Sequence, residues 1–337
     1  MRDITPNETP QNGQTMIAVY ATGGNAEDPL SVLKIGPLPQ PAVPDGWARV
    51  KMSAVALNFF NIFALSGYFS EAAEYPRILG CEGTGYLDDG TPVVMYPVLG
   101  DEQYFGDETL DPNKHVISQK INGALAEYFV VPRRNILPRP AELDEVAAAV
   151  LGGSWLTAYR VIFTKSGVKP GQIMLVQGSS GGLATALIQL GTAAGIRIWV
   201  TGRTEEKRKL GLELGAERAF VPGEALPSEV ASVVDISGGA TWDHSIESVR
   251  PGGSIIACGA HGGLKVTMDL GQILGKQISV HSVYLGTLQE FKDLMQFVIA
   301  KKIVPKVGQI VPVSNACEAF QAMWEGRTNG KSVVTFG

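Results

Sequence analysis

The sequence has few cysteines and no excess of basic residues, and each shortage argues against a class of protein. Its 337 residues include only 3 cysteines. None has C-x-x-C spacing, which argues against a disulfide framework or a cysteine-rich metal site. Lys and Arg total 28 against 33 Asp and Glu, for a formal net charge of −5. Such a chain lacks the basic surface that follows a phosphate backbone, so nucleic acid is not expected as a partner.

The sequence also shows no pattern typical of a targeting signal or of a membrane-spanning segment. Residues 1–15 contain no apolar run of the length of a secretory signal, and we predict a flexible tail there. Residues 171–196 carry no charge, but their centre reads GSSGG. A strand, a tight loop and a buried helix explain that stretch better than a membrane span. We therefore expect a cytoplasmic protein with no membrane partner.

Length and hydrophobic content together predict about two domains with substantial cores. Hydrophobic residues make up 45% of the chain and charged residues 18%. Between residues 16 and 131, short β-rich runs alternate with Pro and Gly clusters, which favours antiparallel sheet. From residue 142 onward, strands and helices alternate instead. Alternation of this kind is typical of an α/β fold with a doubly wound parallel sheet.

The loop at 178–184 reads GSSGGLA between a predicted strand, 173–177, and a helix that begins near Leu183. Glycines here let the backbone approach a pyrophosphate, and the helix N-terminus offers unpaired N–H groups to an anion. We expect Gly195 to end this helix and Thr204 to cap the next one. The loop therefore predicts dinucleotide binding.

The second strand of this unit ends at Thr201-Gly202-Arg203, with no carboxylate. Sites selective for NAD usually place Asp or Glu there against the ribose hydroxyls. Arg203 and Lys207 would instead attract a 2′-phosphate. NADPH is therefore the expected cofactor and NADH the less favoured one, although both residues also suit a solvated helix start.

Several ordered segments resemble the medium-chain dehydrogenase/reductase superfamily, and most closely its zinc-independent quinone oxidoreductase and enoyl reductase branches. They are LNFFNIFALSGYF, GCEGTG, ALAEYFVVP, LTAYRVI, VQGSSGGLA, ELGAERAF, RPGGSIIACG and GKSVVTF. The resemblance implies a mostly β, GroES-like substrate domain at 16–135 and 290–337. It also implies a Rossmann NADPH-binding domain at 136–289, with the active site in the cleft between the domains. A homodimer through the Rossmann sheets, with ISVHSV at the edge, is the implied assembly.

Relatives that oxidise alcohols hold a catalytic zinc at positions that match Asn58, Cys81 with Glu82, and Gly152 or Gly153. Only Cys81 and Glu82 are metal ligands by type, and an open tetrahedral zinc needs three. The four histidines have no ligand spacing. In the lobe at 100–120, the positions of a structural zinc likewise lack cysteines. We expect no metal.

Without a metal, the resemblance implies hydride transfer to a quinone or to an α,β-unsaturated carbonyl such as an enone, enal or enoyl thioester. Asn58 and Tyr68 are the implied catalytic residues: Asn58 as a hydrogen-bond donor, and Tyr68 as a proton donor one residue before the usual position. Phe59, Asn61 and Phe69 are implied substrate contacts; Asn61 replaces the Asp that is common in relatives.

Cofactor contacts are expected at the loop, at the strand ends and near the chain terminus. They are Thr157, Gly178, Ser179, Ser180, Gly181, Gly182, Leu183, Thr201, Gly202, Arg203, Lys207, Ser237, Cys258, Gly259, Ala260 and Lys331. Two other functions stay open. One is a metal-free carbonyl or alcohol dehydrogenase, and the other is an NADPH-binding sensor or structural protein with little turnover.

Overall fold

The computed structural model describes residues 13–68 and 74–337. The chain divides into two compact units: residues 1–153 with 307–337, and residues 154–306. Most of the predicted tail, and the predicted substrate contact Phe69, lie outside the described residues. In the described part, no helix has both the length and the apolar character that crossing a membrane requires.

The first unit is mostly β, as a GroES-like domain should be. Its strands are β1 (Thr15–Ala21), β2 (Leu33–Pro39), β3 (Trp47–Ala56), β4 (Arg77–Ile78), β5 (Gly83–Leu87), β6 (Pro92–Met95), β7 (Val98–Leu99), β8 (His115–Val116), β9 (Tyr128–Pro132) and β10 (Ile136–Pro138), with β17 (Val307–Pro312) and β18 (Lys331–Thr335) near the C-terminus. Its helices are α1 (Phe59–Leu65), α2 (Glu145–Ala149) and α9 (Ala316–Trp324).

The main sheet of this unit brings distant parts of the chain together around β3. The strand order is β10-β6-β5-β3-β18-β17, and β9 also pairs with β3. β18 runs antiparallel to β3, with Val333 opposite Ala56. On the other side of β3, Gly83 of β5 lies opposite Val55. The end of β3, the start of β5 and the start of β18 therefore meet at one point in the sheet.

The second unit alternates strands and helices. Its strands are β11 (Ile173–Val176), β12 (Arg197–Thr201), β13 (Arg218–Phe220), β14 (Val230–Asp235), β15 (Val249–Ala257) and β16 (Ser279–Ser282). Its helices are α3 (Leu156–Arg160), α4 (Gly182–Ala193), α5 (Glu205–Glu213), α6 (Trp242–Ser248), α7 (Leu270–Lys276) and α8 (Leu288–Ala300). The π-helical segments Leu151–Trp155 and Val161–Lys165 flank α3.

The sheet of the second unit confirms the predicted doubly wound fold. All its pairs are parallel, in the order β13-β12-β11-β14-β15-β16. The strands carry apolar runs because both faces of such a sheet are covered. The predicted helix signals also hold: Thr204 Oγ1 accepts a hydrogen bond from Lys207 N, and Gly195 adopts a φ of 78° just after α4.

The limits of the two units differ from the sequence-based limits at 135/136 and 289/290. Residues 136–153 belong to the first unit because β10 pairs with β6, Ile136 lying opposite Met95. Residues 290–306 belong to the second unit because α8 packs on the helical segment before β11. There, Arg160 pairs with Glu290 at 3.2 Å, and the rings of Phe163 and Phe297 lie 5.1 Å apart.

Candidate functional site

The glycine loop of the second unit presents bare backbone at the start of α4. Gly181 is the N-cap residue, and no side chain caps the helix there. A Cβ at Gly181 would meet no described atom within 4 Å. Gly178 has a φ of 150°, and a Cβ there would lie 2.6 Å from Ile236 Cδ1. The loop therefore exposes main-chain N–H groups and requires glycine at Gly178, as a pyrophosphate site needs.

Ser179 in this loop has a buried hydroxyl whose partner is missing. Its side chain is buried, and its Oγ has no hydrogen-bond partner among the described residues. The group lies beside Gly202, where a Cβ would be 2.7 Å from Ser179 Oγ. An unpaired buried hydroxyl is costly, and orphaned groups in native structures often mark ligand contacts. The ribose and its phosphate would supply suitable partners, so the residues fit a dinucleotide.

Cationic side chains gather beside Ser179. Partial burial lowers the pKa of Lys207, and the charge of Arg203 lowers it further. Burial also lowers the pKa of His261; Asp235 partly offsets this, and Arg203 adds to the lowering. The charge of Arg203 acts on both groups, so the three side chains lie close together. Arg203 and Lys207 define a positive region, and the lowered pKa of His261 favours its neutral form beside them. Sequence analysis missed His261 because no local pattern marks it; the fold brings it within range of the charge of Arg203.

The predicted contacts at the ends of β14 and β15 form one tightly bonded turn. Buried Asp235 accepts hydrogen bonds from the backbone N–H groups of Ser237 and Gly238, at 3.0 and 2.8 Å. Cys258 N donates to Asp235 O at 3.0 Å. At Gly259 a Cβ would lie 2.1 Å from Ile236 O, so only glycine fits. Asp235 therefore serves to hold the strand-end loops.

The remaining predicted cofactor residues lie in the second unit, with one exception. Thr157 is buried in α3, Ser180 is buried in the glycine loop, and Thr201 is buried at the end of β12. Lys331 is the exception, since it begins β18 in the first unit. A cofactor contact by Lys331 stays a prediction, and its described partners are all in the first unit.

Those partners form a buried polar network. Lys331 Nζ donates to Leu57 O at 2.7 Å, to Asn58 Oδ1 at 2.7 Å and to Glu82 Oε1 at 2.6 Å. Asn58 Nδ2 also donates to Glu82 Oε1 at 2.7 Å. The second carboxylate oxygen, Glu82 Oε2, accepts from Gly153 N at 2.6 Å. We call these five residues the Lys331 network.

Asn58 and Asn61 close the start of α1 with a capping box. Asn58 N donates to Asn61 Oδ1 at 3.0 Å, and Asn61 is fully buried. A substrate contact by Asn61 stays a prediction, and its described role is to fix the helix start. The two amide hydrogens of Asn58 point to Glu82 and toward Cys81 Sγ, 3.6 Å away.

Aromatic side chains cover the outer face of α1. Phe59 stacks with Trp324 of α9 at a centroid distance of 6.2 Å, and Phe63 lies 5.8 Å from the ring of Tyr68. Tyr68 is 60% exposed and Trp324 is 45% exposed. The sequence analysis missed Trp324 because its position in a C-terminal helix gave no hint of contact with α1.

The donors at the catalytic zinc position do not suit that metal. Both oxygens of Glu82 already accept hydrogen bonds, and the ammonium of Lys331 lies against one of them. Burial and the neighbouring Glu82 charge raise the pKa of Cys81 to about 12. A Cβ at Gly153 would lie 2.7 Å from Glu82 Oε1, so a ligand side chain at that position would meet the carboxylate as it stands.

The lobe at 100–120 is held by hydrogen bonds. Arg134 Nη1 donates to Gly100 O at 2.6 Å, and Asp101 N donates to Asp111 Oδ2 at 2.8 Å. Tyr96 donates to Glu108 Oε1 at 2.8 Å in the interior. Across residues 13–68 and 74–337, no group of three or more His, Cys, Asp or Glu side chains is arranged to hold a metal ion.

Comparison with known proteins places the chain in a family. Residues 44–141 match the model of the alcohol dehydrogenase GroES-like domain, and residues 182–300 match that of the zinc-binding dehydrogenases. The quinone oxidoreductase of Mus musculus is 24% identical over an alignment 345 residues long, which covers 97% of this chain and 99% of that protein. The chain belongs to the medium-chain dehydrogenase/reductase superfamily and is an oxidoreductase.

Solved structures agree with this assignment. An NAD-dependent alcohol dehydrogenase is similar with a TM-score of 0.88 at 27% identity, covering 96% of this chain and 100% of that one. A 2-octenoyl-CoA carboxylase reductase in complex with NADP and 2-octenoyl-CoA has a TM-score of 0.86 at 22% identity, with 97% and 88% covered. The second likeness concerns the fold alone. The family and the loop geometry support a nicotinamide cofactor.

Proposed function

We propose that the protein is an NADPH-dependent, zinc-independent reductase of quinones or α,β-unsaturated carbonyls. The observation that carries the proposal is the orphaned Ser179 hydroxyl beside Gly202, next to the cations of Arg203 and Lys207. A 2′-phosphate would bring negative charge to these cations and the acceptor oxygens that Ser179 lacks. An NAD-selective site would place a carboxylate there.

The cofactor would supply a hydride from C4 of its nicotinamide ring. In the proposed reaction, the hydride bonds to the β-carbon of the acceptor, the double-bond electrons move to the carbonyl oxygen, and a proton then adds at the α-carbon. The products are NADP⁺ and the saturated carbonyl compound. This chemistry needs an electron-poor acceptor because the Lys331 network leaves no suitable ligand set for a metal that would polarise a simple carbonyl.

We assign the chain's own residues as follows. Tyr68 is the proposed proton donor, since its exposure allows contact with an acceptor and with solvent. Phe59 offers an apolar face to a flat acceptor. Asn58 stands at the start of α1, with its amide directed into the Lys331 network. Thr157 and the loop residues hold the cofactor.

A homodimer through β16 is part of the proposal. β16 is the edge strand of the parallel sheet, and all four of its residues are exposed. Val280 on that strand is 40% exposed, and Leu274 on the preceding helix is 74% exposed. Edge strands with apolar side chains pair readily with another chain. We also propose a cytoplasmic location, which suits the free thiols of Cys81, Cys258 and Cys317.

One assay distinguishes the proposed reductase from two other functions. A metal-free carbonyl or alcohol dehydrogenase gains support from the NAD-dependent alcohol dehydrogenase of similar fold, and a sensor or structural role would need only the dinucleotide loop. The assay follows NADPH and NADH consumption in excess chelator with quinones, enones, enals, enoyl thioesters, saturated ketones and, in the reverse direction, alcohols. We expect NADPH oxidation with the conjugated acceptors. Turnover of saturated ketones and alcohols alone, or tight NADPH binding with no turnover, would contradict the proposal.

A further inference from the structure

The ammonium group of Lys331 is fully enclosed by acceptors. Its side chain is 2% exposed, and that of Glu82 is 0% exposed. An ammonium has three protons, and Leu57 O, Asn58 Oδ1 and Glu82 Oε1 supply three acceptors at 2.6–2.7 Å. The group is therefore a complete cation site made by the chain itself, with the positive charge at its centre.

The charges in this site also set the orientation of Asn58. Its Oδ1 faces the ammonium and its Nδ2 faces the carboxylate of Glu82. Exchanging the two ends of the amide would place Nδ2 against a cation and Oδ1 against an anion. Lys331 and Glu82 are thus positioning residues for Asn58, because only one of the two amide orientations satisfies both.

By the family resemblance, Asn58, Cys81 and Glu82 match the ligand positions of a catalytic zinc. In this structure Asn58 Nδ2 lies 3.6 Å from Cys81 Sγ and 2.7 Å from Glu82 Oε1. A Cβ at Gly153 would lie 3.1 Å from Asn58 Oδ1 and 2.7 Å from Glu82 Oε1. A third ligand side chain at that position would therefore meet two members of the network.

We propose that Lys331 is a built-in cation that closes this site to divalent ions while it positions Asn58. A divalent cation at Glu82 would have to displace the ammonium or lie beside a like charge, and both are unfavourable in a dry interior. The inference deepens the zinc-independent part of the proposed function. It is tested by metal binding, so its failure leaves the reductase assay unaffected.

The experiment introduces a second thiol beside Cys81 and then removes the ammonium group of Lys331. Asn58→Cys places a sulfur between Cys81 and Glu82, and cobalt(II) serves as the probe because its thiolate complexes absorb in the near-ultraviolet and visible range. Three variants are titrated with cobalt(II) as folded proteins: Asn58→Cys alone, Asn58→Cys with Lys331→Met, and Asn58→Cys with Lys301→Met. Lys301 is an exposed lysine just after α8 and serves as the matched control.

We expect the cobalt–thiolate bands only when Lys331 is replaced, with a Kd at least about tenfold lower than in the other two variants. Lys331→Gln in the same background is the second test, because its amide still donates one or two hydrogen bonds and so favours folding. Equal cobalt binding with Lys331 present would overturn the proposal. Absence of the bands from folded variants that lack Lys331 would overturn it as well.

Discussion

The Nζ atom of Lys331 and the Oε1 atom of Glu82 lie 2.6 Å apart with both side chains buried, although 249 positions separate them in the chain. Water and salt screen their charges very little there. Removing one partner therefore destabilises the fold strongly, because the other charge stays buried and unpaired. The pair joins the start of β18 to the start of β5, and through Gly153 it also reaches the segment after α2.

Removing one charge of this pair should destabilise the first unit strongly. Glu82→Gln leaves the buried ammonium without its anion, and we expect a loss of about 3–5 kcal/mol in the free energy of unfolding. The double variant with Lys331→Met should lose less than the sum of the two single variants, because no buried charge is left unpaired. Guanidinium unfolding measures both.

The exposed pair of Arg49 and Asp88, at 3.0 Å, is the control for that cycle. Asp88→Asn should cost less than about 1 kcal/mol because solvent screens the pair. Equal losses of unfolding free energy for Asp88→Asn and Glu82→Gln would show that the buried pair stabilises the protein no more than the exposed pair does.

The positive region beside Ser179 should decide between NADPH and NADH. Replacing Arg203 and Lys207 with Gln removes two cations from the 2′-phosphate. We expect the Kd of NADPH to rise by about 10- to 100-fold, since a hydrogen bond to a charged group contributes about 1.5–3 kcal/mol. The Kd of NADH should change less than about threefold. Titration of cofactor fluorescence measures both.

Lys209→Gln is the matched control, because Lys209 lies on the same helix but pairs with Glu213 at the surface. It should leave both affinities unchanged. A double variant of Arg203 and Lys207 that still prefers NADPH as strongly as the wild type would refute this assignment of the phosphate site.

The three thiols should react at very different rates. Burial raises the pKa of Cys81 to about 12 and raises that of Cys258 still further. Cys317 is exposed, with a pKa raised by its partial burial. Because the thiolate is the nucleophile, alkylation of Cys317 should increase about tenfold per pH unit below its pKa. Mass spectrometry after iodoacetamide at pH 7 and 8.5 should find the label on Cys317 alone. Labelling of Cys258 as fast as Cys317 in the folded protein would contradict its raised pKa.

The exposed edge strand should hold the proposed dimer together. Val280→Lys puts a charge on β16, and we expect the mass measured by light scattering to fall by half. Val304→Lys is the control, because Val304 is 79% exposed and lies outside that strand. A protein that is a monomer before any substitution would refute the proposed assembly.

Much of the fold was predictable because its signals are local. The doubly wound sheet follows from alternating apolar runs and helix signals, and Thr204 and Gly195 follow from the chemistry of helix ends. The glycine loop was predicted from its place between a strand and a helix, and family resemblance pointed to Asn58. The limits of the compact units differ from the predicted domain limits because the contacts of α8 and β10 join segments that are distant in sequence.

The parts of the site that sequence reasoning missed are pairings across long separations. Nothing near Lys331 in the sequence indicates Glu82 as its partner, and nothing near Trp324 indicates Phe59. His261 follows a predicted cofactor segment by one residue, yet its approach to Arg203 depends on how the loops fold over the sheet edge. Such pairings depend on tertiary structure, which local propensity does not encode.

The most direct test of the proposed reaction is deuteride transfer. NADPH labelled with deuterium on the transferred position of C4 is incubated with metal-depleted protein and an enone, and the product is examined by NMR. We predict one deuterium on the β-carbon and none on the carbonyl carbon. Deuterium on the carbonyl carbon, or transfer that appears only after zinc is added, would contradict a zinc-independent conjugate reduction.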